Sequence, residues 1–138
     1  MTQYVTFTLG GGLYGVDVTR VQEALRAHTR TRVPLAPVDV AGLVNLRGQV
    51  VLTIDLRPRL GVPPLDVDAE PMMVVVQVDG EPVSLLVDEI GDVVEVGPER
   101  FEVPPDTLDV GLRRLITGAY KLDSSLLLIL DVDQAVAA

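Results

Sequence analysis

The sequence predicts a mainly β protein: two small five-stranded barrels packed together as a pseudo-repeat, with one or two short helices. Three observations carry this reading. Short apolar–polar alternations are separated by turn residues, Pro-bearing loops interrupt the chain, and its two halves can be laid over each other. The alternation is clearest from Gly42 to Leu56, where Val50, Leu52, Ile54 and Leu56 fall on one face and Val51, Thr53 and Asp55 on the other. Arg47-Gly48 sits between the two strands of this hairpin, and Gly48 supplies the permissive backbone the turn requires.

Taken in order, Gln3 to Leu9 reads as a strand, Gly10-Gly11-Gly12 as a turn, and Leu13 to Val18 as the returning strand. Thr19 and Gln22 have capping-box spacing, which predicts a short helix carrying Val18, Val21, Ala24 and Leu25 on one face. Pro34 and Pro37 make the next segment an extended loop. After the hairpin, Arg57 to Gly61 reads as a turn. Val62 to Pro71, with Pro63, Pro64, Asp66, Asp68 and Glu70, reads as a linker. Met72 to Val78, Asp79-Gly80 and Val83 to Val87 form a second hairpin, with Pro82 placing that strand end at an edge. Val93 to Val96, Leu115 to Leu122 and Leu126 to Val132 are the remaining strands. Thr107 to Arg114 is open between helix and loop, and the chain ends without a clear final helix.

The repeat has two offsets. Gly42 to Leu46 lies on Gly118 to Leu122, and Val50 to Leu56 on Leu126 to Val132, at an offset of 76. Upstream, at 69, Val5 matches Val74, Phe7 matches Val76, Val18 matches Val87 and Val21 matches Ile90. Units of roughly 60–70 residues are marginal alone, so two barrels gain by packing together. Closing each set of strands also removes its exposed edges. A groove between the barrels, with Val21 and Ile90 on opposite sides, is the natural ligand or peptide site.

Composition narrows the chemistry. With 138 residues, 48% hydrophobic and 22% charged, the chain is an ordinary globular one, with no Cys for disulfide or thiolate chemistry and no apolar run of membrane-spanning length. No signal-peptide pattern opens it, so a cytoplasmic location is expected. The net charge of −9 divides into +3 for residues 1–60 and −12 beyond, and the acidic total argues against nucleic acid. His28, the single histidine, has no nucleophile or carboxylate beside it in sequence. Asp66, Asp68 and Glu70 lack the Gly and later Glu of a calcium loop, and Gly10 to Gly12 leads into a strand rather than a phosphate-binding helix. No catalytic residue, metal site or cofactor is expected. A barrel module binding or acting on a metabolite in the cleft is the alternative to a protein adaptor.

Tyr14-Gly15-Val16-Asp17-Val18, Val21-Gln22-Glu23, Gly42 to Gly48, Ile54 to Arg57, Leu86 to Val93 and Gly118 to Leu122 resemble the CheW-like chemotaxis coupling proteins. The resemblance spans essentially the whole chain. It implies a single domain over 1–138 made of two intertwined SH3-like subdomains, approximately 13–71 with C-terminal strands and 72–132. It also implies an adaptor joining the cytoplasmic tip of a chemoreceptor to the regulatory domain of a CheA-type histidine kinase, in chemotaxis or another kinase pathway. The receptor groove it implies comprises Val18, Val21, Gln22, Asn45, Arg47 and Ile90; the kinase contacts stay unassigned. Arg47 is the residue the repeat does not copy, since its counterpart is Asp123.

Overall fold

The computed structural model describes residues 1–138 apart from 27–29, 32–33, 67, 105, 107 and 138. His28 and Thr107 therefore lie outside the described residues. The strands are β1 (Thr2–Leu9), β2 (Gly12–Asp17), β3 (Val21–Arg26), β4 (Val40–Leu46), β5 (Gln49–Asp55), β6 (Met72–Val78), β7 (Glu81–Val87), β8 (Glu89–Val96), β9 (Phe101–Glu102), β10 (Ile116–Lys121) and β11 (Leu126–Leu130). Short helices α1 (Arg57–Leu60), α2 (Val110–Arg113) and α3 (Val132–Val136) punctuate them. One sheet runs β8-β1-β2-β11-β10-β9, the other β3-β6-β7-β5-β4.

Apart from β9, which extends the six-stranded sheet, these orders are the same order written twice. By the two offsets, β3, β6, β7, β5 and β4 correspond to β8, β1, β2, β11 and β10, so each sheet takes a hairpin from one repeat and three strands from the other. The registers agree residue by residue. Phe7 opposite Tyr14 becomes Val76 opposite Val83. The parallel pair Leu52 and Val83 becomes Leu128 and Tyr14. Even the irregularity between Val40 and Gly42 recurs between Ile116 and Gly118. The exchange follows from connector length: a 3-10 turn, Val18–Arg20, separates β2 from β3, and Asp88 alone separates β7 from β8. Neither connector is long enough to cross back over its own hairpin, so the chain runs straight on into the other sheet. The strands are thus shared as residues 2–17 with 89–130 and as 21–87. The charge division softens with it: residues 19–88 carry seven bases and nine acids, a net −2, leaving −7 for the remainder.

Phe7, Leu9, Tyr14 and Val16 of the first sheet meet Ile54, Val74, Val76, Leu85 and Val87 of the second in one shared cluster. The opposite faces bury smaller clusters, Tyr4, Val96, Leu127 and Ile129 in one sheet and Val44, Val51, Met73 and Leu86 in the other. Central strands thus bury both faces, which explains the unbroken apolar runs Met73–Val76 and Leu127–Leu130. Full burial of each such side chain is worth about 1.5–3 kcal/mol, against about 0–1 for an exposed ion pair, so the clusters hold the fold.

Four local expectations need correction. The helix expected after Thr19 is a 3-10 turn followed by β3, whose residues alternate half-buried and exposed from Val21 to Arg26. Asp17 Oδ1 accepts from Thr19 N at 3.0 Å, and pairing of Val21 with Val76 on β6 overrides the helical spacing. Arg57–Leu60 forms a helical turn closed by Gly61 at φ 70° rather than a simple turn. Pro82 lies at the start of β7, an internal strand; the parallel ladder to β5 begins one residue later, at Val83, so the missing N–H costs nothing there. The C-terminus does form a helix, α3, capped by Asp131 Oδ1 accepting from Gln134 N at 3.2 Å.

Candidate functional site

Three two-residue hairpin turns share one geometry. Their central residues have φ of 60° and 85° at Gly10-Gly11, 54° and 83° at Arg47-Gly48, and 51° and 80° at Asp79-Gly80. Such turns favour Gly, Asn or Asp at the first position because an ordinary side chain is strained at positive φ. Arg47 is the exception. Asn45 steadies the turn, its Oδ1 accepting from Gly48 N at 2.9 Å.

The Arg47 side chain stays 78% exposed, and its Nη1 meets Glu23 Oε2 at 2.5 Å. Glu23 lies on β3 and Arg47 follows β4, the two edges of the five-stranded sheet, so the pair draws those edges together. Glu23 was not singled out from the sequence, where it belonged to the outward face of an expected helix. Gln22 is exposed beside it, its Oε1 accepting from Gln77 Nε2 on β6. Val18 is half-buried in the 3-10 turn. Val21 and Ile90 are half-buried against the shared cluster from opposite sheets, Val21 opposite Val76 and Ile90 opposite Phe7. The residues that the family resemblance groups thus fall in two neighbourhoods: Val21 and Gln22 on β3 beside Glu23, which meets Arg47 of the Asn45–Gly48 turn, and Ile90 on the other sheet.

The expected apolar face of β5 is buried only at its inner end. Ile54 and Leu56 are enclosed, but Val50 is 63% exposed and Leu52 39% exposed, leaving an apolar strip beside Asn45, which pairs with Val50. Alternation alone gave no means of telling a core face from an exposed one.

Two ion-paired positions change sign between the repeats, Arg57 to Asp133 and Arg47 to Asp123, while their partners are not equivalent positions. Arg20 Nη2 meets Asp133 Oδ1 at 2.7 Å while also donating to the Gln77 carbonyl; at the other junction Asp88 meets Arg57. Arg47 meets Glu23, whereas its counterpart Asp123 meets Arg100 Nη1 at 3.3 Å. The Arg20 guanidinium holds the Asp133 carboxyl below the usual carboxylate range. Burial, then the Tyr120 hydroxyl, push Tyr4 up to about 12. Both shifts move away from neutrality, so neither supplies an acid or base near pH 7. Among the described residues no helix is long and apolar enough to cross a membrane.

The CheW-like domain family model matches residues 3–138. Similar curated proteins include the chemotaxis protein CheW of Klebsiella aerogenes, 27% identical over 136 residues covering 99% of this chain and 82% of that protein. The chemotaxis protein CheW of Bacillus subtilis is 30% identical over 129 residues, covering 94% and 83%. Among solved structures, the scaffolding protein TtCheW from Thermoanaerobacter tengcongensis superposes with a TM-score of 0.87 at 27% identity, covering 99% of this chain and 93% of that one.

Proposed function

We propose an adaptor role, starting from the fact that this chain belongs to the CheW-like domain family of chemotaxis scaffold proteins. In this reading the protein is a non-catalytic cytoplasmic coupler, recruited to membrane-associated receptor arrays. It holds the cytoplasmic tip of a chemoreceptor and the regulatory domain of a CheA-type histidine kinase side by side. Val18, Val21, Gln22, Asn45, Arg47 and Ile90 form its receptor surface.

The observation that carries the reading is Arg47: a largely exposed guanidinium held at positive φ, in a turn type whose two sister turns use Gly and Asp. A residue kept where its backbone is strained points to selection for what the side chain meets. The guanidinium fork suits carboxylates and carbonyls on a partner, and the adjoining Val50–Leu52 strip offers apolar contact. Partner binding without chemistry also fits side chains whose shifted groups stay clear of neutral pH. The test is reconstitution with the cognate receptor tip and kinase regulatory domain, read by co-sedimentation. A ternary complex weakened by Arg47→Glu is expected, and failure to bind either partner would sink the proposal.

A further inference from the structure

Polar contacts lead from one inter-sheet connector to the other by way of α1 and α3. Asp88, the single residue between β7 and β8, accepts from Gly10 N at 2.9 Å and meets the buried Arg57 guanidinium of α1. Further along α1, Arg59 donates from Nε to Asp39 Oδ2 at 2.6 Å and from Nη1 to the Ala135 carbonyl of α3 at 2.5 Å. Toward the start of α3, Asp133 meets Arg20, which belongs to the connector between β2 and β3 and also donates to the Gln77 carbonyl of β6. Arg20 directly precedes Val21, and Asp88 stands two residues before Ile90. The contacts therefore end beside the two residues expected on opposite sides of the receptor groove.

We infer, on the adaptor role proposed above, that Arg59 is a positioning residue for receptor binding: it ties α1 to α3 and so sets the spacing between β3 and β8. Apolar packing in the shared cluster draws the sheets together but is non-directional, whereas a charged two-pronged donor fixes angle as well as distance. Arg59 belongs to none of the three clusters, so it adds direction without being needed to fill the core. Its side chain is 20% exposed and that of Asp39 15%, which shields the pair; Arg20 and Asp133, at 35% and 60%, are screened by solvent. Asp39 is itself anchored, its carbonyl accepting from Asp55 N at the end of β5 at 2.7 Å. The Ala135 carbonyl lies in the last turn of α3, where a helix has no N–H of its own to offer, so Arg59 supplies the donor. Arg59 and Ala135 are equivalent positions of the repeat, 76 apart, and alanine has no side-chain donor to return the bond. The join is thus made once, by one side chain, and a single substitution removes it.

Because the chain has no Cys, Ala24→Cys on β3 and Asp92→Cys on β8, both exposed, take spin labels whose separation double electron–electron resonance measures with no receptor present. Arg59→Met with Asp39→Asn removes the join without leaving an unpaired carboxylate. Its label-to-label distribution is expected to widen or shift, and receptor-tip affinity, titrated on unlabelled protein, to fall about three- to tenfold. Arg59→Lys keeps the charge but not the fork, and is expected to show both effects in smaller measure; it decides the matter if the double variant does not fold. Loss of stability alone, with wild-type distances and affinity, would make Arg59 a purely structural residue and overturn the inference. So would wider distances with receptor affinity intact. A wild type that binds no receptor tip instead sinks the adaptor role, and the inference falls with it.

Discussion

Arg47→Asn separates what the turn needs from what the side chain does. Asn-Gly is a favoured pair for this turn geometry, so the substitution relieves about 1 kcal/mol of backbone cost at φ 54°. It also removes the ion pair to Glu23, which with 78% of the arginine side chain in solvent is worth about 0.2–1 kcal/mol. The difference is a stability unchanged or raised by up to about 0.8 kcal/mol, which for a chain of this size moves Tm by at most about 4 °C. Urea denaturation gives the stability, and titration with the receptor tip gives binding on the same samples. Receptor affinity is expected to fall at least tenfold while the unfolding midpoint holds or rises. A loss of more than about 1.5 kcal/mol would refute this reasoning, because it would make the guanidinium a structural clamp between the sheet edges. Glu23→Gln serves as the companion: it removes the same ion pair but leaves the arginine available to a partner.

Further outcomes follow from other parts of the molecule. Asp133→Asn should flatten the acid limb of stability. The lowered carboxyl contributes in full above its unfolded value of 3.8, and that contribution is lost as pH falls through the native one, so melts from pH 6 down to pH 2.5 should converge at the acid end. Thr53 and Ser84 face each other across the parallel β5–β7 pair with fully buried hydroxyls lacking partners among the described residues. Thr53→Val and Ser84→Ala should therefore be neutral or stabilising in denaturant titrations, and a loss near 1 kcal/mol in either would reveal a hydrogen bond. The repeat-equivalent glycines should respond unequally to Ala. At Gly42, φ 137° and a Cβ 2.6 Å from the Thr31 carbonyl oxygen predict a cost above about 2 kcal/mol, whereas at Gly118 only the half-exposed Phe101 ring must move, for less than about 1.

The hairpins were legible because their turn residues act locally: Asp79-Gly80 and Gly10-Gly11 specify the reversal whatever surrounds them. The repeat was legible too, and its offsets give the strand registers to the residue. Which hairpin joins which sheet was not. Val21 and Ile90 are equivalent positions, so pairing β1 with β3 or with β8 satisfies the same apolar pattern. The choice rests on connectors of one and three residues, and the strand boundaries around Thr19 were obscured by a capping-box spacing that tertiary pairing overrode. Asn45 and Arg47 could be identified as a turn pair, but Glu23 joins them only through curvature of the sheet. The exposure of Val50 and Leu52 depends on what covers β5, which no periodicity encodes.

The exchanged hairpins bear on how the molecule fails. Neither 1–60 nor 72–138 contains the strands of a complete sheet, since each lacks what the other contributes. A protease that nicks between Gly61 and Pro71 leaves all eleven strands of the described residues in place, so the cut chain still presents the surfaces they form. Digestion that consumes either fragment strips two strands from one sheet and at least three from the other at once. Degradation therefore passes from a whole adaptor to none, without a surviving half that could occupy one partner while failing to bring the second.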